Sequence, residues 1–205
     1  MRVLLATRNT GKIAELQRIL SPYGVELVGL DPDFEPGPET APDFRGNALA
    51  KAREAAAHSG LPSVADDSGL AVDAMNGMPG VLSARWAGRH GDDVANLELL
   101  LGQISDVPSD RRTARFVCAA AAVLPDGREL VVEETMEGHV IDAPRGTNGF
   151  GYDPIFVPAG ETRTSAELPS AEKDAISHRG KAFRALVPQL MDALGASHPG
   201  SRVSG

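Results

Sequence analysis

Short apolar runs and helical repeats take turns along the chain. Val3 to Ala6 forms a buried-strand run, the polar turn Thr7-Arg8-Asn9-Thr10-Gly11 follows, and Ile13, Leu16, Ile19 and Leu20 then recur at helical spacing. This predicts a strand–loop–helix opening. Ser21-Pro22-Tyr23-Gly24 ends that helix, and Val25 to Leu30 reads as a second strand. Asp31 to Pro42 holds four prolines and four acids and reads as a loop. Asp43 is placed to cap an alanine-rich helix running to about His58. Ser63 to Asp66 and Leu70 to Asp73 read as short strands about an Asp67-Ser68-Gly69 turn, and Met75 to His90 as a glycine-rich irregular stretch. Asp92 to Gln103 is a helix. Thr113 to Leu124 and Glu129 to Ile141 are long strands joined by the hairpin turn Pro125-Asp126-Gly127. Ala143 to Gly151 is a second glycine-rich loop, Pro154 to Val157 a short strand, and Ser177 the cap of a last helix carrying Phe183, Leu186, Val187, Leu190 and Leu194. The front of the chain is α/β and the long hairpin is antiparallel, so a mixed sheet is expected rather than a parallel one.

Composition narrows the class. At 205 residues, the length fits one domain or two closely joined lobes. Cys118 is the only cysteine, which excludes an internal disulfide and a multi-cysteine zinc site. The longest apolar run, Phe116 to Leu124, is far short of the roughly 20 residues needed to span a bilayer. No secretory leader is evident, so a cytoplasmic location is expected. The net charge of −8 and the absence of a basic run argue against a polymeric nucleic acid as partner. A small anion remains compatible wherever cations cluster or a metal bridges.

Five segments carry candidate chemistry, each with a plainer alternative. Thr7 to Lys12 lies between a strand and a helix, where free N–H groups attract an anion and Arg8 and Lys12 add charge. It lacks the P-loop spacing, and an ordinary βα turn is the other reading. In Asp66-Asp67-Ser68-Gly69, one carboxylate can face a site while the other braces the chain. Glu39 is a candidate second oxygen ligand for Mg²⁺, and a simple Asx turn is the alternative. Asn47 and Lys51 share a helix face at i, i+4, which also suits a solvated surface. Phe150, set between Gly149 and Gly151, suits stacking on a base or plugging the core. Lys173 with Ser177-His178-Arg179 gathers donors at a helix start, where a capping histidine is the plainer account. No H-E-x-x-H or G-x-S-x-G is present. Together the five suit a metal-bound nucleoside phosphate.

Six stretches occur in a familiar order. They are Thr7-x-Asn9-x-x-Lys12, Asn47-Ala48-x-x-Lys51-Ala52, Ala65-Asp66-Asp67-Ser68-Gly69-Leu70, Pro79-Gly80-Val81-x-Ser83-Ala84-Arg85, Gly149-Phe150-Gly151-Tyr152-Asp153-Pro154 and Ser177-His178-Arg179-Gly180. In these the chain resembles the inosine/xanthosine triphosphate pyrophosphatase family over about Val3 to Leu190. The resemblance implies an elongated mixed sheet with flanking helices, in two lobes with a cleft between them. A single two-lobed domain is expected over 1–194, and the residues of the tail, 195–205, themselves read as disordered. The resemblance also implies a homodimer, Mg²⁺, and hydrolysis of ITP, dITP and XTP to the monophosphate and pyrophosphate. By matched position, Thr7, Arg8, Asn9, Thr10, Gly11 and Lys12 would hold the triphosphate. Lys51 would meet the leaving pyrophosphate. Asp67 would be the general base and, with Glu39, a metal ligand. Ser68, Phe150, Gly151, Tyr152, Asp153, Lys173, His178 and Arg179 would form the nucleotide pocket. Two other readings remain at this point: a Maf-like pyrophosphatase for other modified nucleotides, and a nucleotide sensor without turnover.

Overall fold

The structure, a computed structural model, describes residues 2–195. The expected tail lies, apart from Gly195, outside the described residues. The strands are β1 (Arg2–Leu5), β2 (Glu26–Val28), β3 (Ser63–Val72), β4 (Thr113–Val123), β5 (Glu129–Val140) and β6 (Phe156–Pro158). They form one sheet in the order β2-β1-β3-β4-β5-β6. β1 runs parallel to both β2 and β3, while β5 and β6 are antiparallel, so the sheet is mixed. The helices are α1 (Thr10–Leu20), α2 (Phe44–Ser59), α3 (Asp93–Gln103), α4 (Ser170–Ile176) and α5 (His178–Ala193).

The chain divides into two compact units. Among the described residues, one gathers 2–67, 119–133 and 180–195; the other gathers Ser68–Cys118 and Glu134–Arg179. Each has its own core. In the first, Ala48, Ala52, Ala55 and Ala56 form an apolar stripe on α2 and pack with Leu4, Ala6, Ala65, Ala119, Ala121 and Val123. These small side chains let helix and strand backbones come close, and their spacing is that of one helix face. Asp43 caps α2 by accepting the Gly46 N–H at 2.7 Å, and Gly60 closes it in the left-handed conformation that favours glycine. In the second unit the core is larger-boned: Leu70, Leu97, Leu100, Ile104, Phe116, Tyr152, Ile155 and Phe156 pack together. Phe116 and Phe156 meet edge to face, with ring centroids 4.7 Å apart.

Some sequence expectations need correction. Asp67-Ser68-Gly69 is not a turn, because β3 runs unbroken from Ser63 to Val72. A Cβ on Gly69 would lie 2.3 Å from the Gly80 carbonyl and 2.4 Å from Ser83 Oγ, so glycine stands here for close packing rather than for a bend. The last helix does begin where the sequence placed its cap: Ser177, with φ −65° and ψ 150°, is extended, and α5 starts at His178; the short helix α4 before it was not expected. The stretch Met75 to His90 contains a regular 3-10 turn over Gly80–Arg85. The last strand also starts later than its apolar run, since Asp153–Ile155 form a 3-10 turn with Pro154 near its start.

Candidate active site

In the first unit, the loop after β1 is shaped by its own side chains. Asn9 caps α1, its Oδ1 accepting the Lys12 N–H at 3.0 Å, and Thr7 Oγ1 accepts the Asn9 N–H at 3.2 Å. Thr10, Gly11 and Lys12 form the first turn of α1, whose N–H groups and dipole favour an anion. Arg8 turns elsewhere, donating to the carbonyls of Asp31, Pro32 and Phe34 and so tying down the loop after β2.

Two adjacent carboxylates of β3 are each met by a lysine. Lys12 Nζ lies 2.9 Å from Asp66 Oδ2, and the Asp66 side chain is completely buried. Lys51, reaching from α2, lies 3.2 Å from Asp67 Oδ1 and 2.7 Å from Glu39 Oε1. Asn47, one turn earlier, donates from Nδ2 to Asp67 Oδ2 at 3.0 Å and accepts the Ala41 N–H at 2.9 Å. Asn47 and Lys51 thus act on one carboxylate from one helix face, as their spacing permits. Burying such charges costs several kcal/mol per ion, of the order that pairing repays. Burial pushes the Asp67 carboxyl above its ordinary value; Lys51 opposes this, and Glu39 adds to it. Burial also works against the Lys51 ammonium, but Asp67, Asp66 and Glu39 outweigh it and hold that pKa above the usual lysine value.

These residues suit a divalent cation. Glu39 and Asp67 already converge on one positive centre, the Lys51 ammonium. Among the described residues no group of three or more His, Cys, Asp or Glu side chains gathers to hold a metal. Mg²⁺ ordinarily takes one or two carboxylates from protein, with phosphate oxygens and water completing its shell.

In the second unit, a different set surrounds an aromatic ring. Phe150 has Lys173 Nζ at 5.3 Å and Arg179 Cζ at 5.6 Å from its ring centroid. Lys173 Nζ also lies 2.6 Å from Asp153 Oδ2, which accepts the Phe150 N–H at 2.9 Å. Arg179 donates to Ser68 Oγ at 2.7 Å. His178 is buried and stacked on Phe116, the rings nearly parallel with centroids 4.9 Å apart. The Tyr152 hydroxyl donates to the Ser83 carbonyl at 2.9 Å and is held protonated, pushed up mainly by burial and further by Asp93. A Cβ on Gly149 would lie 2.1 Å from Asp153 Oδ2, so this loop accepts only glycine there. The arrangement offers a flat ring beside two cationic groups, while the His178 imidazole packs on the core ring of Phe116.

Of the residues singled out from sequence, Lys12, Glu39, Lys51 and Asp67 belong to the first cluster. Ser68, Phe150, Lys173 and Arg179 belong to the second. Gly151, Tyr152, Asp153 and His178 shape that second cluster from within. Sequence reasoning missed Asp93, Ser83 and Phe116. Asp93 reads only as an acid in a first helical turn, Ser83 passes as one small residue of its motif, and Phe116 as one more apolar strand position.

Residues 3–189 match the family model described as the Ham1 family. The chain is 60% identical over 195 residues to the dITP/XTP pyrophosphatase of Mycobacteroides abscessus, covering 93% of this chain and 95% of that one. It is 60% identical over 198 residues to the dITP/XTP pyrophosphatase of Streptomyces coelicolor, covering 95% and 99%. Its fold resembles the crystal structure of the nucleoside-triphosphatase / dITP/XTP pyrophosphatase from Mycobacterium abscessus. That likeness has a TM-score of 0.75 and 59% identity, and covers 93% of this chain and 100% of that one.

Proposed function

The chain belongs to the Ham1 family, and from this we propose that it hydrolyses deaminated purine nucleoside triphosphates, ITP, dITP and XTP, to the monophosphate and pyrophosphate. The observation that carries the reading is the setting of Asp67. Its carboxylate is buried, fixed by the Asn47 amide, and shares one ammonium with Glu39.

The phosphate chain is assigned to the first cluster. The start of α1 and Lys12 bind its oxygens, and Lys51 meets the charge that develops on the departing pyrophosphate. Glu39 and Asp67 would hold Mg²⁺, which when bound would neutralise charge on the phosphate oxygens. Asp67 orients the attacking water and takes its proton.

The purine is assigned to the second cluster. Phe150 offers its ring to the base. N–H groups of His178 and Arg179 would donate to an oxygen at the 6-position, whereas adenine's amino group would face donor with donor. A buried mismatch of that kind costs about 1–3 kcal/mol. Dependence on Mg²⁺, a homodimeric state and a cytoplasmic place among the nucleotides are further parts of this proposal.

Pyrophosphate release is measured with ITP, XTP, dITP, GTP, ATP and dUTP, with and without Mg²⁺. Turnover of ITP, XTP and dITP well above GTP, ATP and dUTP supports the reading. Preference for dUTP returns the Maf-like alternative, and tight binding without release returns the sensor.

A further inference from the structure

The segment that carries Phe150 cannot define its own shape. Gly146, Gly149 and Gly151 all have positive φ, at 83°, 74° and 62°, and glycine leaves an unfolded chain many alternatives. Its neighbours fix it. The Thr147 and Asn148 N–H groups donate to the Ala166 carbonyl at 3.2 and 3.0 Å, and the Asn148 side chain to the Leu168 carbonyl at 3.1 Å. The Phe150 N–H ends on Asp153. The next amide, that of Gly151, donates at 2.8 Å to Asp93 Oδ2, from a residue 58 positions upstream. The peptide groups on both sides of the Phe150 Cα therefore end on carboxylates, one within the loop and one from α3.

Asp93 is not needed to cap its own helix. Asp92 does that, its Oδ1 accepting the Ala95 N–H at 3.2 Å. As first residue of α3, Asp93 stands where the helix dipole favours a carboxylate. A charged acceptor binds an amide more strongly than a neutral one. Its effect on Tyr152 places its charge beside the same loop.

We propose that Asp93 is a positioning residue for base recognition, holding the Gly151 amide and so setting where the Phe150 ring stands. The inference rests on the purine reading of the second cluster. Asp93 acts through the loop and touches no substrate.

The test compares Asp93→Ala, Asp93→Asn and wild-type protein in ITP hydrolysis. Each is also inhibited by inosine, which has a base and no phosphate, and by pyrophosphate, which has the reverse. In Asp93→Ala the KM for ITP rises about tenfold, as loss of a hydrogen bond to a charged group implies, with kcat within about twofold. Inosine inhibition weakens by the same factor and pyrophosphate inhibition does not change. Asp93→Asn, which keeps an acceptor oxygen, stays within about threefold of wild type. Should Asp93→Ala not fold, Asp93→Ser, too short to reach Gly151, is read in its place. An unchanged KM, or equal weakening of both inhibitors, overturns the role of Asp93 alone. Failure of inosine to inhibit the wild-type protein overturns the purine reading and this inference with it.

Discussion

The Asn47 side-chain amide bridges Asp67 to the loop before α2, donating to Asp67 Oδ2 at 3.0 Å and accepting the Ala41 N–H at 2.9 Å. One residue thus orients the candidate base and holds the loop that carries Glu39. Asn47→Ala breaks a buried hydrogen bond to a charged group. It is expected to lower both kcat and stability, the latter by about 1.5–3 kcal/mol. Urea unfolding and pyrophosphate release check it. Full activity in a stable variant would place the orientation of Asp67 elsewhere.

Asp67→Asn keeps the volume of the side chain and removes the base. Pyrophosphate release should fall by about 10²-fold to 10⁴-fold while nucleotide binding stays measurable by calorimetry. The wild-type enzyme should lose activity as pH falls through the Asp67 pKa, because the base must be ionised. Burial raises that carboxyl in the metal-free protein, and bound Mg²⁺ would lower it, so the acid limb should move to lower pH as Mg²⁺ is raised. An acid limb that does not move with Mg²⁺ would count against Asp67 as the base.

Phe150→Ala removes the ring beside Lys173 and Arg179. If the ring stacks on the base, inosine nucleotides bind more weakly by about 1–3 kcal/mol. The melting temperature separates the outcomes: a large stability loss with unchanged affinity would make Phe150 a core plug.

Lys173→Met leaves the Asp153 carboxylate buried without its ammonium. Breaking such a pair costs about 3–5 kcal/mol. Adding Asp153→Asn should recover part of that loss, because the uncompensated charge disappears. A double variant no more stable than Lys173→Met would show that the pair is not the source of the cost.

Gly69→Ala puts a methyl group onto the Gly80 carbonyl and Ser83 Oγ. Overpacking of this kind costs about 1–3 kcal/mol, read as a lower urea midpoint with an unchanged slope. An unaffected midpoint would mean that the 3-10 turn at Gly80–Arg85 yields easily.

Much of this was legible in the residues. The helical repeat of Ile13 to Leu20, the Asp43 cap and the hairpin at Pro125-Asp126-Gly127 are local signals, and local physics honours them. The i, i+4 spacing of Asn47 and Lys51 put both on one face before any partner was known. Asp67-Ser68-Gly69 misled because turn chemistry and strand chemistry share these residue types. Contacts of Gly69 with Gly80 and Ser83, remote in sequence, settle the matter.

The chain alone determined most of its elements, its mixed α/β class and the residue types on which the chemistry depends, because periodicity, caps and charge are properties of neighbours in sequence. Tertiary structure decided which carboxylate each lysine meets: Lys12 takes Asp66 and Lys51 takes Asp67. Adjacent residues of a strand point to opposite faces, so that choice depends on what packs against each face. It likewise decided that Arg8 braces a loop and that Asp93 holds the Gly151 amide, since a hydrogen bond between distant residues exists only once the backbone between them is placed.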